Sequence, residues 1–533
     1  MANPLQNAEG SEYLNQRTSV RQFRAYRIGA LSALVALIIL MRMPPSVARA
    51  QTLTTVYNFC PQSGCQDGTS PLSLIQATNG ELYGMTRTGG AYDDSECAFL
   101  SARLGCGTVF AITPGGTFTT LLSFCTQVGC STDGVLPYGP LVQAINGDLY
   151  GTTEYGGNNN GGTVFKINFS GNISTLYSFC SETNCTDGNL PDGGLIQAPD
   201  GDLYGTTSGG TNDNGHCSNP TTMGGCGTIF KITPSGSLTT LYTFCGPSTV
   251  YCADGAKPAG PLALAASGAL YGTTFEGGAH DLGTVFQLTP NGTLTTLHSF
   301  CSRSGCADGA LPQAALILTS GGALFGMTSF GGSNGDGTVF KITSDGKLTT
   351  LHNFCSLPNC ADGDYPSGAL VQATNGDLYG TTEGGGTNGA GTVFKLTSSG
   401  ELTTVYNFCG AGAACTDGSA PNGVIQATSG DFNGTTGAGG LYANGTIFRL
   451  NLGLGPFVAP QTPAGEVGAR VTLLGTNLTG ATSVTFNGTP TTFTVNSSGS
   501  AIATTVPAGA TTGTVQVVTP GGTLNSNVVY TVR

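Results

Sequence analysis

Seven aspartates recur in one setting, each followed by glycine and each just after a cysteine: Asp67, Asp133, Asp187, Asp254, Asp308, Asp362 and Asp417. Seven carboxylates on one face could bind cations or sugar hydroxyls. The competing role is local: aspartate opens a turn by bonding its own backbone, and glycine supplies the positive φ. Recurrence in every unit favours the turn, because a specific site usually breaks symmetry. A second set of polar residues is irregular. Arg87, Tyr92, Asp93, Asp94 and Glu96 fall in the first variable segment, and Glu154, Tyr155, Asp213, His216, Glu276, His280, Asp281, Asp336, Glu383 and Tyr442 in later ones. Variable loops on a rigid scaffold are where binding residues concentrate. These are therefore the candidate binding residues, although most loop polar groups simply face water.

The same loops hold enough acids for a paired-carboxylate glycosidase, but nothing in the sequence selects one pair, and no catalytic residue is assigned. Gly331–Gly335 fits GxSxG without the helix that a nucleophile elbow requires. Gly384–Gly389 fits GxGxxG, again with no helix or parallel strand pair to hold a dinucleotide. His298 and His352 stand where the repeat has Tyr177 and Tyr242, so packing explains them. No cofactor is expected.

The 18 cysteines form nine neighbouring pairs. Seven recur at one place in the repeat: Cys60/Cys65, Cys125/Cys130, Cys180/Cys185, Cys245/Cys252, Cys301/Cys306, Cys355/Cys360 and Cys409/Cys415. The other two, Cys97/Cys106 and Cys217/Cys226, sit in the two longest insertions. An even number, paired locally, reads as disulfides of an exported protein. Zinc needs four ligands, and no pair has a second pair or histidines at ligand spacing, so no metal is expected.

The elements that carry these residues come from a repeat. Phe-Cys recurs at Cys60, Cys125, Cys180, Cys245, Cys301, Cys355 and Cys409, with a basic spacing near 54 residues. Each unit has four short apolar segments parted by turn signals. In the second they are 141–144, 148–153, 162–167 and 173–179. Asn146-Gly147 between the first two predicts a two-residue type I′ hairpin. Tight hairpins make each unit an antiparallel meander, as in a propeller blade. The segment 53–59 is a fourth strand without a blade, and the seventh unit ends after its third strand at Leu450. The expectation is an all-β chain: a seven-bladed β-propeller over 51–452, its N-terminal strand closing the last blade. Closure removes the free edges of an open array.

The Gly-Thr-Val-Phe strands at Gly107, Gly162, Gly283, Gly337 and Gly391, with Leu-Tyr-Gly-Thr-Thr at Leu149, Leu203, Leu270 and Leu378, resemble the GloVer tandem-repeat proteins of bacteria. That resemblance covers about 400 residues and implies architecture and export, with no catalytic residues. The seventh unit departs from it, with Phe432-Asn433-Gly434 for Leu-Tyr-Gly, and the fifth has Phe325 for tyrosine. Residues 456–533 lack cysteine and alternate in short apolar segments, which suits an immunoglobulin-like β-sandwich. Gly475-Thr476-Asn477-Leu478 and Val484-Thr485-Phe486-Asn487-Gly488 look like an IPT/TIG domain.

Residues 1–50 read as an export segment. Four arginines from Arg17 to Arg27 precede an apolar run from Ile28 to Met41, and Ala48-Arg49-Ala50 offers a cleavage site. A signal peptide cleaved after Ala50 is expected, with an uncleaved anchor as the alternative; only the anchor would touch a membrane. Removing its six arginines and two glutamates from totals of 18 and 30 leaves 12 basic against 28 acidic residues. A surface of that sign excludes nucleic acid as a partner. The functional expectation is a secreted or cell-surface, non-enzymatic binding protein for a glycan or protein ligand. An extracellular carbohydrate-active propeller enzyme using loop carboxylates is the alternative.

Overall fold

The computed structural model describes residues 51–91, 105–125, 132–210, 217, 224–246, 252–319, 321–410 and 414–533. Seven four-stranded antiparallel sheets follow one another, each a meander in chain order except the last. Blade 1 is Thr69–Gln76, Leu82–Thr88, Thr108–Ile112 and Phe118–Ser123. Blade 2 is Val135–Gln143, Leu149–Tyr155, Thr163–Ile167 and Ile173–Ser178. Blade 7 takes three strands from Ser419–Gln426, Phe432–Ala438 and Thr446–Asn451, and its fourth is Thr52–Asn58 from the start of the chain. Thr55 lies opposite Phe448 and Tyr57 opposite Ile447. The first strands touch in sequence around the ring, and the last touches the first. The seven-bladed propeller is therefore closed as expected, and the first strands line its axis.

The repeat motifs are explained by packing. Gly151 has to be glycine because a Cβ there would lie 2.6 Å from Cζ of Phe165 on the next strand. Thr152 Oγ1 donates to the Tyr138 carbonyl at 3.1 Å, tying the second strand to the first. Thr153 Oγ1 meets Thr163 Oγ1 at 2.8 Å, tying it to the third. Both phenylalanines of the repeat serve the seam between blades. Phe179 of blade 2 makes an edge contact with Phe230 of blade 3 at 5.1 Å. Every seam has the same pair, including Phe59 with Phe110 across the closure at 5.4 Å. Such pairs contribute about 0.5–1.5 kcal/mol each beyond the area they bury. The apolar core accordingly lies between blades: Phe179 and Val164 cluster with Leu195, Leu203 and Phe230.

The first hairpin differs from the expected type. Gly147 N donates to Ala144 O, and Ala144 N to Asp148 O, so three residues make the loop. Only Gly147 of them has positive φ, at 91°, whereas a type I′ turn needs two such residues. Asn146 keeps an ordinary φ because its side chain has other bonds: Oδ1 accepts from Asp148 N and Nδ2 donates to Tyr150 OH.

The C-terminal region forms two sheets of a sandwich. One orders Ala459–Pro460, Arg470–Leu474, Ala501–Thr505 and Phe493–Val495. The other orders Ala464–Gly465, Gly522–Val532, Gly513–Thr519, Ser483–Phe486 and Thr489–Thr491. Val471, Leu473, Phe486, Ile502, Val517 and Tyr530 fill the space between them. The sandwich rests on the face formed by the first hairpins of the blades. Thr428 Oγ1 meets Thr476 Oγ1 at 2.7 Å, and Asn496 Nδ2 and Ser500 Oγ both donate to Thr78 O. The opposite face, carrying the cysteine loops, is the one left to the variable segments. Among the described residues no helix is long and apolar enough to cross a membrane.

Candidate functional site: the mouth of the propeller channel

The repeated aspartates are inward-facing braces. Asp187 accepts from Tyr177 OH at 2.9 Å and from Ser181 N and Oγ at 2.9 Å. Asp67, Asp254 and Asp417 accept likewise from Tyr57, Tyr242 and Tyr406 and from a cysteine amide. In blades 4 and 5 the phenol is replaced by imidazole: His298 Nε2 lies 2.9 Å from Asp308 and His352 Nε2 3.0 Å from Asp362. That is what the two histidines do in the tyrosine position. Burial alone would raise the carboxyls of Asp308 and Asp362. Hydrogen bonds from Ser302 and His298, and from Ser356, His352 and the loop amides, outweigh it and hold both below the usual range. Asp133 is also buried. Six of the seven are buried and Asp67 is half-buried.

The loops these acids brace are cross-linked. Cys60–Cys65, Cys180–Cys185, Cys217–Cys226, Cys245–Cys252, Cys301–Cys306, Cys355–Cys360 and Cys409–Cys415 are disulfides. Cys106 and Cys125 are disulfide-bonded too, while their expected partners Cys97 and Cys130 lie outside the described residues. One pair does gain a second pair in space. The sulfurs of Cys217, Cys226, Cys245 and Cys252 all lie within 4.8 Å of one another, buried. The blade 3 insertion thus lays its disulfide against the common one, a neighbourhood the spacing did not reveal. All four sulfurs are oxidised there, so none is a thiolate ligand. Cross-links of this density place the folded chain outside the cytoplasm.

Symmetry is broken at the channel mouth. The second strands of blades 1 and 2 carry Arg87 and Glu154-Tyr155 at their ends there. Arg87 reaches across to the next blade, its Nη2 2.8 Å from Glu154 Oε2. Its guanidinium also lies over the Tyr138 ring, 4.9 Å from the centroid. Tyr138 belongs to the first strand of blade 2, and Asp192 precedes the short first strand of blade 3, Leu195–Gln197. The carboxyl of Asp192 is pushed up to about 7, by burial first and then by the charge of Glu154, although Ser208 and Arg87 act the other way. Burial raises Glu154 as well, with Arg87 opposing. Tyr138 is raised by burial and by Asp192, Glu154 and Glu383, which brings blade 6 into the same electrostatic neighbourhood.

Two buried oxygens here have no hydrogen-bond partner among the described residues, Asp192 Oδ1 and Thr206 Oγ1. The second has a clear cause. Its counterparts Thr152, Thr273 and Thr381 donate to a first-strand carbonyl, but blade 3 has Asp192-Gly193-Gly194 outside the ladder at that level. Shortening the first strand thus opens polar valences beside the axis, on the same blade that supplies the acid.

The other candidate residues are spread over the loop face. Glu276 is held by Lys257 at 2.8 Å. Asp281 is a turn former with φ 59°, its Oδ1 accepting from Gly277 N, and His280 beside it is exposed. Asp336 lies near Asp364, whose carboxyl is raised by burial and then by Asp336. Tyr442 is exposed at the outer rim, facing Tyr57. Asp93, Asp94, Asp213 and His216 lie outside the described residues. Of the named loop residues the structure gathers Arg87, Glu154, Tyr155 and Glu383. Tyr138 and Asp192 were missed because they directly follow the proline that opens their blade, in a segment read as scaffold. The available signal was that the residue after this proline differs in every blade: Leu72, Tyr138, Asp192, Ala259, Gln313, Ser367 and Asn422. The GxSxG and GxGxxG segments make the same turn, with Asn334 and Asn388 donating to Phe354 O and Phe408 O.

No characterised protein of the curated sets matches the chain in sequence. Among solved structures, one similar chain is the extracellular domain of a protein assigned as a hybrid two-component system of B. thetaiotaomicron. It is 10% identical with a TM-score of 0.47, over 89% of this chain and 46% of that one, so this chain spans under half its length. A fungal alcohol oxidase of the AA5 family, in complex with copper, is 12% identical with a TM-score of 0.47, over 89% of this chain and 100% of that one. Residues 457–532 match the IPT/TIG domain. Residues 40–218 and 217–448 match the Gloeobacter/Verrucomicrobia repeat, and with seven closed blades built from its motifs the chain belongs to that family.

Proposed function

We propose that the protein is an exported binding protein whose channel mouth takes a carbohydrate. The observation that carries the reading is the cluster of Arg87, Tyr138, Glu154 and Asp192, at a level where each blade contributes a different residue. Carboxylates and a guanidinium bond sugar hydroxyls well, and tyrosine rings give the flat apolar surface that a sugar ring covers. Asp192 Oδ1 and Thr206 Oγ1, without partners among the described residues, supply further valences at that spot. Export would proceed through residues 1–50, with cleavage after Ala50 giving a secreted form and retention giving a surface-anchored one.

A glycan array with residues 51–533 tests this. Binding that Glu154→Gln and Arg87→Ala abolish supports it, and an array without signal speaks against it. One observation favours hydrolysis as a second reading: the charge of Glu154 helps burial push Asp192 up to about 7, so that a fraction of it keeps the proton a general acid needs at neutral pH. Incubation with a polysaccharide panel separates the two. New reducing ends that Asp192→Asn abolishes indicate the enzyme; retention without cleavage indicates the binder.

A further inference from the structure

The opposite face carries a second site, built from the place where blade 7 departs from the repeat. Six blades put an aromatic residue after the leucine of the second strand, such as Tyr150 and Tyr379. Blade 7 has Asn433. Across the ladder from this position, blades 2, 3 and 6 have Lys166, Lys231 and Lys395, which pair with Asp148, Asp202 and Asp377 of the first hairpin. Blade 7 has Arg449 opposite Asn433 and Asp431 in the hairpin. That pair does not form. Asp431 Oδ1 accepts from Asn451 Nδ2 at 2.7 Å, while Arg449 donates to the Pro114 carbonyl of blade 1 and has no carboxylate partner among the described residues.

Loss of the phenol ring and separation of the charges leave a cleft of about 310 Å³ between blade 7, blade 1 and the sandwich. Gln76, Asp431, Asn433 and Arg449 line it from the propeller, and Thr476 and Ser500 from the sandwich. Asn433 is 3% exposed, and its Oδ1 is buried without a hydrogen-bond partner among the described residues. A guanidinium free of carboxylates is a bidentate partner for a carboxylate ligand. The surrounding amide, hydroxyl and carboxylate groups match ligand hydroxyls.

From this geometry we propose that the cleft binds a monosaccharide acid, with its carboxylate on Arg449 and its hydroxyls on Asp431, Asn433 and Gln76. The site is independent of the channel mouth and needs both domains. The test is calorimetric titration of residues 51–533 with glucuronate, galacturonate and glucose. Saturable binding of an acid, weakened about tenfold or more without the carboxylate and likewise by Arg449→Gln, is the expected result. Asn433→Tyr introduces the side chain that five blades carry at this position, keeps the fold, and removes binding by filling the cleft. Glu154→Gln at the channel mouth leaves it unchanged. No saturable binding of either acid, equal binding of glucose, or binding that survives Asn433→Tyr would overturn the proposal.

Discussion

Single carboxyls in this protein do opposite work, and pH separates them. Asp308 and Asp362 sit below the usual carboxylate range because serine, histidine and amide donors favour their charged form. Their stabilisation is complete above the unfolded value near 3.9 and is lost as pH falls through the depressed folded value. Urea midpoints should therefore decline below about pH 4, and Asp362→Asn should cost about 1–3 kcal/mol at pH 7 while reducing that decline. Asp192 behaves in reverse. Its folded value near 7 means the native state holds a proton the unfolded chain has released, so stability drops as pH rises from about 4 to 7. Asp192→Asn should flatten that slope and raise the midpoint at pH 8. An unchanged slope would remove Asp192 from the account of the mouth.

At the scale of elements, stability resides in the seams. Each blade presents a phenylalanine to the next and receives the proline of its first strand against a glycine. Gly445 closes the circle: with φ 95°, a Cβ would lie 2.3 Å from Thr436 O and 2.7 Å from Cδ of Pro71. Gly445→Val strains the backbone and wedges blade 7 from blade 1 together, so a loss of more than about 3 kcal/mol is expected in thermal unfolding. Removing residues 51–60 takes away the strand that covers Thr446–Asn451 and leaves Phe110 without Phe59. The shortened chain should unfold less cooperatively and associate through the bared edge, which light scattering would detect.

For the whole molecule, cross-linking and placement of the sandwich set the terms. Nine bonds predict a gain of about 18 Da in intact mass on full reduction. A gain near zero would remove the disulfides and the compartment they imply. The sandwich is anchored on the first-hairpin face through Thr78, Thr428 and Gln143, the last accepting from Gln461 at 3.2 Å. Its position leaves the cysteine-loop face as the broad open surface, which is why the mouth is the first place to look for a ligand.

The repeat, the closing strand, seven of the disulfide pairs and the C-terminal sandwich were legible in the residues, because each follows from local rules: alternation, turn chemistry, neighbouring cysteines, and a strand missing at one end and present at the other. The hairpin type was misread at Asn146, where a side chain bonded to Asp148 and Tyr150 outcompetes the dipeptide rule. The sites needed the fold. Arg87 meets Glu154 across 67 positions, and Asn433 faces Ser500 only after the sandwich docks. Such meetings depend on which blades adjoin and how far each first strand runs, quantities set by packing between units and invisible within any one of them.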